Sequence, residues 1–261
     1  MRTLRQIVPR LRRVFATSIS ATPTPVGLKP SRDRFMKYLK GAGLEIGALH
    51  NPMPVDRGRA TVCYVDVMSL EEQRRHYPEL ADYPLVRPDI VAQADALPML
   101  GAGSQDFIIA NHLLEHVADP IGALREWYRL LRRDGILFLA LPDKRVTFDK
   151  DRPRTTLDHL IADHRDRGAA SRLGHYEEYS RLVHKKSGEA LDRDLADLLA
   201  KNYSIHFHVW IADDIAELLR YVNDALGLRW KTLDFLDSSG TDEFIYVLQK
   251  DGDAAVPGPE S

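Results

Sequence analysis

Residues 105–143 read QDFIIANHLLEHVADPIGALREWYRLLRRDGILFLALPD, and this stretch decides the fold. Phe107–Ala110 and Ile136–Leu141 are unbroken apolar runs, as expected of parallel strands buried on both faces. A punctuated helix lies between them. Asp119 is placed to cap its N-terminus and Pro120 stands at the first helical position. Arg132 and Arg133 fall in the expected last turn, and Gly135 is the expected left-handed stop. Ile121, Leu124, Tyr128 and Leu131 recur at spacings of three, four and three, so they share one face. Strand, crossover helix and parallel strand make a right-handed βαβ unit. Open sheets of such units take ligands at the carboxyl ends of their strands. Those ends carry Asn111, His112, Glu115 and His116 after one strand, and Pro142, Asp143 and Lys144 after the next.

Working outward, Ser31–Lys40 reads as a short amphipathic helix, Gly43–Gly47 as a strand ending on a turn, and Thr61–Val67 as a second strand. Ser69–Glu79 has a helical pattern, and Asp89–Ala92 is a third strand followed by Gln93-Ala94-Asp95-Ala96-Leu97-Pro98. Asp213–Leu226 is a helix that Gly227 can stop. Trp230–Leu236 and Glu243–Leu248 are joined by DSSGTD, short enough for a hairpin. The expected fold class is therefore α/β: a Rossmann-like, mostly parallel seven-stranded sheet with an antiparallel terminal hairpin. Residues 144–208 break the alternation after the fifth strand. They are charged, histidine-rich and helix-like, and are expected to form a helical insertion, a lid over the strand ends. The main domain spans 31–250, with a basic leader and linker at 1–30 and a Gly/Pro/Ala tail at 251–261, both expected to be poorly ordered.

The chain has 261 residues, enough for a full core. A net charge of −2 gives no global pull toward nucleic acid or anionic membrane. No aromatic-interleaved basic patch follows the leader, so a nucleic-acid partner is not expected. No run reaches the roughly 18–20 apolar residues of a membrane span. Residues 1–13 carry five arginines and no acid, and the Thr, Ser and Pro of 17–30 follow. That composition suits an organelle transit peptide, a peripheral arm for anionic lipid or a plain solvated leader, and Pro9 interrupts its helical pattern. A single cysteine, Cys63, excludes an internal disulfide and a thiolate metal cluster, and a cytoplasmic location is expected.

In these features the chain resembles the class I S-adenosyl-L-methionine (SAM)-dependent methyltransferases. The likeness is to the small-molecule branch with LEHV-DP after the fourth strand, here Leu114–Val117 with Asp119-Pro120. It covers about 42–142 well and 209–250 by topology. The resemblance implies SAM as cofactor. Glu45, Gly47, Ala48 and His50 match the first-strand turn, and Asp66 the acid that binds the ribose hydroxyls. Asp95 with Ala96 matches the site of the adenine amine, and Asn111 with His112 the methionine end. A carboxylate suits paired hydroxyl donors, and a glycine at the turn admits ligand to the backbone. The first motif departs from the family's acid-x-Gly-x-Gly-x-Gly, because Leu49 and Asn51 replace two glycines. Pro52 and Pro54 follow, and the connection to the second strand is too short for a full helix. His50, Asn51 or Arg57 are the residues available to replace that helix as a partner for the cofactor carboxylate.

Eight of the ten histidines lie between 112 and 208. His159 and Asp163 are four apart, on one face of a helix over Thr156–His164, and His206 and His208 alternate in an extended IHFHVW segment. Two His and a carboxylate can hold a metal, but without a compact motif none is assigned. His116, His159 and His208 are the candidates to face the acceptor and act as base, and His76, His175 and His184 read as structural or surface residues. Trp210, Tyr176 and Tyr179 are candidates to stack on a sugar. The expected function is methyl transfer from SAM to a small-molecule or saccharide-linked acceptor, at oxygen. The alternative is a non-catalytic, repurposed member of the fold serving as a binding or scaffold protein. A nicotinamide-dependent oxidoreductase is disfavoured because Gly-x-Gly-x-x-Gly is absent after the first strand.

Overall fold

The computed structural model describes residues 32–239 and 241–252. The expected leader at 1–30 and the tail from residue 253 lie outside the described residues. Seven strands form one sheet: β1 (Gly41–Ile46), β2 (Ala60–Asp66), β3 (Ile90–Val91), β4 (Gln105–Asn111), β5 (Leu131–Pro142), β6 (Trp230–Leu236) and β7 (Glu243–Lys250). Their spatial order is β3-β2-β1-β4-β5-β7-β6. β1 to β5 pair in parallel, and β7 runs antiparallel to both β5 and β6. The expected α/β sheet with its terminal hairpin is therefore present.

Helix α1 (Leu70–His76) follows β2, and its N-terminus is closed by a capping box between Ser69 and Glu72. Helix α2 (Pro120–Leu130) links β4 to β5, with Asp119 accepting the Gly122 N–H at 2.7 Å. Its end differs from the sequence expectation. The helix stops at Leu130, and Arg132 and Arg133 already belong to β5. Asp134, not Gly135, takes the left-handed backbone, at φ 62°. Gly135 is needed for room instead: a Cβ there would lie 2.8 Å from the Arg132 carbonyl oxygen. No helix occurs between β1 and β2.

One face of the sheet is covered by α2 and by α6 (Ala212–Asp224), which bury Trp127, Tyr128, Ile215 and Leu218 over Ile108, Leu137 and Leu139. The other face is covered more thinly. A 3-10 turn at Arg32–Tyr38 lays Phe35 edge-on to Phe138, and Met53 and Val55 of the β1–β2 connection pack beside it. The insertion folds as α3 (Leu157–Asp166), α4 (Arg172–Leu182) and α5 (Gly188–Ala200). It has a small core of its own around Tyr176, Tyr179, Leu198, Ile205 and Phe207.

Gly43 in β1 stands opposite Phe107 of β4, and a Cβ there would lie 2.4 Å from the Phe107 ring. Gly43→Ala is expected to overpack this strand pair and destabilise the chain by about 1–3 kcal/mol. Adding Phe107→Leu should return part of that loss. Urea unfolding of the two variants measures both effects.

Candidate functional site

A cavity of about 1040 Å³ opens at the carboxyl ends of β1, β2 and β4. Its sheet side is lined by Gly47, His50, Asp66, Asp95 and His112, and its far side by His116, Phe148, Tyr179, Tyr203 and His206. Phe148, Tyr179, Tyr203 and His206 of this far side belong to residues 144–208. Asp66 ends β2 almost fully buried, and one oxygen accepts the Met68 N–H at 3.0 Å. Burial raises its pKa despite that bond and the Gln73 amide. Asp95 is raised too, first by burial. Gly47 holds φ +74°, and a Cβ there would press on Leu113 at 3.2 Å.

Asp95 is positioned from α2. Trp127 donates its indole N–H to the Ala94 carbonyl at 2.9 Å, and Glu126 accepts the Leu97 N–H at 2.9 Å. Arg129 is ion-paired to Glu126 and donates to the carbonyls of Leu97 and Leu100. The loop after β3 is thus tied at both ends to a buried helix.

Four other expected cofactor residues, Glu45, Ala48, Ala96 and Asn111, do not line the cavity. Glu45 is buried at the end of β1, where one oxygen accepts the Met53 N–H at 2.7 Å. Its other oxygen is buried as well, and a hydrogen bond with the Asn111 side chain lowers the carboxyl's pKa against that burial. Burial pushes the Glu45 carboxyl up to about 7. His112, at φ 47°, donates to Glu243 at 2.7 Å, and Arg32 reaches the same carboxylate at 2.5 Å. Although Glu243 is buried, those two partners hold it down at about 2.

The expected acceptor-side histidines separate. His116 lines the cavity, and its Nδ1–H donates to the Ile205 carbonyl at 2.8 Å, which leaves Nε2 as the ring's acceptor. Burial lowers its pKa to about 3. His206 lines the cavity beside it, edge-on at 4.7 Å between ring centres, and donates to Asp149 at 2.6 Å. Asp149 is buried, yet the His206 bond and the Arg152 charge hold its carboxyl below the usual range. Glu115 lies beneath this pair, fully buried, and burial raises its pKa. His159 and His208 lie elsewhere, outside the cavity lining, and both bond to Asp163. His206 and His208 thus do not act on one face: the segment is irregular, and their rings go to different carboxylates. Trp210 and Tyr176 are core residues rather than open stacking surfaces, whereas Tyr179 reaches the cavity wall.

Sequence reasoning did not select His206 or Asp149 as site residues. Their 57-residue separation hid the pair. The available signal was a charged turn, FDKD at 148–151, separated by residues 143–147 from the end of the fifth strand. Arg152 holds this wall together. Its side chain is fully buried and donates to Asp149 at 2.8 Å, to Glu178 at 2.8 Å and to the His206 carbonyl at 2.8 Å.

Residues 41–139 match the family model described as a methyltransferase domain. No curated protein matches. Among solved structures, a provisionally named zinc-dependent alcohol dehydrogenase from Rhodobacter sphaeroides is 13% identical, with 94% of this chain and 98% of that one covered and a TM-score of 0.50. The CurJ carbon methyltransferase is 14% identical at a TM-score of 0.45, over 85% of this chain and 51% of that one, so this chain spans about half its length. A SAM-dependent methyltransferase from Methanosarcina mazei is 16% identical at a TM-score of 0.42, over 87% and 100% of the two chains. At such identities these likenesses concern the fold alone. The matched stretch holds the β1, β2, β3 and β4 ends that line the cavity.

The Glu45 carboxyl titrates at about 7 in the folded chain against an ordinary 4.5, so the folded state keeps its proton between those values. Its contribution to stability is full below pH 4.5 and is lost as pH rises through about 7. Glu45→Gln is expected to remove that loss and make the ligand-free protein more stable than wild type at about pH 8. Denaturant titrations on either side of neutrality check the sign.

Proposed function

We propose that this chain is a SAM-dependent methyltransferase that moves a methyl group to an oxygen of a small-molecule or saccharide-linked acceptor held beneath the insertion. The observation that carries the reading is the single cavity joining the strand-end acids to the His116–His206 wall. The residues present fit the cofactor. Asp66 and Asp95 are partly desolvated carboxylates on the cavity wall, suited to hydroxyl and amine donors. The bare backbone at Gly47 admits close approach.

When bound, SAM supplies a methyl group on a sulfonium centre. The chain's own part is alignment and handling of one proton. Gly47, Asp66 and Asp95 would hold the nucleoside side, with His50 and His112 flanking the amino-acid side. His116 stays neutral over the working range, and its Nε2 would accept a hydrogen bond from a second, neighbouring hydroxyl of the acceptor and so orient the reacting one. His206, its Nδ1–H fixed by Asp149, would take that hydroxyl proton on Nε2 as the carbon–oxygen bond forms and the carbon–sulfur bond breaks. Tyr179 and Phe148 offer rings against which a sugar face would pack.

Calorimetry with S-adenosylhomocysteine tests the cofactor half. Wild type should bind at one site, and Asp66→Ala should bind about 10–100-fold more weakly, the worth of hydrogen bonds to a charged group. Full affinity in Asp66→Ala overturns the assignment of that residue. No binding by wild type overturns the catalytic reading and leaves a binding or scaffold protein on the same fold.

Label transfer from methyl-labelled SAM to a panel of saccharides and other hydroxyl compounds tests the acceptor half. His206→Asn should slow transfer about 10²–10⁴-fold, the range for losing a general base. Its affinity for S-adenosylhomocysteine should stay within about threefold of wild type. Undiminished transfer would remove His206 from the reaction.

A further inference from the structure

We infer that His159, Asp163, His175 and His208 form a closed, structural zinc site that fastens the insertion to the chain returning from it. This inference does not depend on the reaction proposed above. Three imidazole Nε2 atoms converge on one carboxylate oxygen. Those of His208, His159 and His175 lie 2.9, 3.1 and 3.5 Å from Asp163 Oδ2. The Nε2 atoms of His159 and His175 are 3.2 Å apart. All four donor atoms fall within 4.8 Å of one another.

Those lengths match a tetrahedron about a small ion. Donors about 2.0–2.2 Å from zinc at tetrahedral angles stand about 3.3–3.6 Å from each other. The four observed lengths run from 2.9 to 3.5 Å, within about half an ångström of those edges. Hydrogen bonding alone uses the same atoms poorly. Two facing Nε2 atoms need one ring to give up its donor, while the same carboxylate oxygen serves all three rings. A divalent ion engages three ring lone pairs and the carboxylate oxygen together.

The donor chemistry selects the metal. Three imidazoles and one carboxylate without thiolate suit zinc rather than a soft ion such as copper(I), and four protein donors leave no open coordination position. Asp163 and His208 are buried, the His175 side chain is nearly so, and the His159 side chain is 39% exposed, which leaves a route in from solvent. The His208 ring is further held by stacking on Trp210, with 6° between the planes.

The donors come from three segments: His159 and Asp163 one turn apart on α3, His175 on α4, and His208 on the segment returning to α6. None lines the large cavity, but His206, two residues from His208, does. A bound ion would therefore set the acceptor wall from behind, without touching what the cavity holds.

The test uses the full chain, purified without chelator or an immobilised-metal column. Elemental analysis should find about one zinc per chain. Cobalt added to stripped protein should show the visible bands of a tetrahedral site. His159→Ala, at the most exposed donor, and His175→Ala should each lower zinc content at least tenfold, whereas His184→Ala, which removes a partner of Asp194, should retain it. Zinc should raise the melting temperature of stripped wild type but not of His159→Ala. Folded wild type that holds no zinc and gives no tetrahedral cobalt bands overturns the proposal. So does zinc retained equally by the His159 and His175 variants, which would mean that the metal sits elsewhere.

Discussion

The acceptor side of this molecule depends on one buried guanidinium. Arg152 is 2% exposed, and a charge in that position is tolerable only if its donors are met. They are met by Asp149 in the turn after β5, by Glu178 on α4, and by the carbonyls of His206 and Phe207. One side chain thus joins the start, middle and end of the insertion. A lysine has the charge but not the planar fork that reaches these directions together. Asp149 is shared between Arg152 and His206, so the group that holds the wall also orients the ring facing the cavity. The main chain adds to this: the Glu115 carbonyl accepts the Phe207 N–H at 2.7 Å, fixing the returning segment to the β4 end.

The fold was legible because its signals are local. Two apolar runs and a capped helix of the right phase specify a βαβ unit, and turn residues mark the rest. Asp66 and Asp95 were pointed to by the resemblance to the methyltransferases, and both line the cavity. Errors appeared where a residue had two physical uses. Gly135 looked like a helix stop, but the left-handed residue is Asp134 and the glycine is there to clear the Arg132 carbonyl.

The histidines show where one-dimensional reading ends. His206 and His208 differ by two positions, yet one reaches Asp149 and the cavity while the other is enclosed with Asp163. Alternation would have kept them together only if the segment had been a regular strand. His175 was unremarkable in sequence because its partners lie 12 and 33 residues away, on a preceding helix and beyond a following one. Packing of three insertion helices decides which ring meets which carboxylate, and no local pattern encodes it.

The two sides of the cavity are built by different means, and this divides their labour. The loop around Asp95 is bound at several backbone atoms by Trp127, Glu126 and Arg129 of a helix whose apolar face is in the main core. It can loosen only if that core loosens. The insertion rests on its own small core and on polar attachments that break singly. A molecule settling against the first side meets a surface already ordered and loses little conformational entropy there, while one settling against the second must share in ordering it. The same partition lets substitutions among the insertion's rings reshape one wall of the chamber while the other keeps its form.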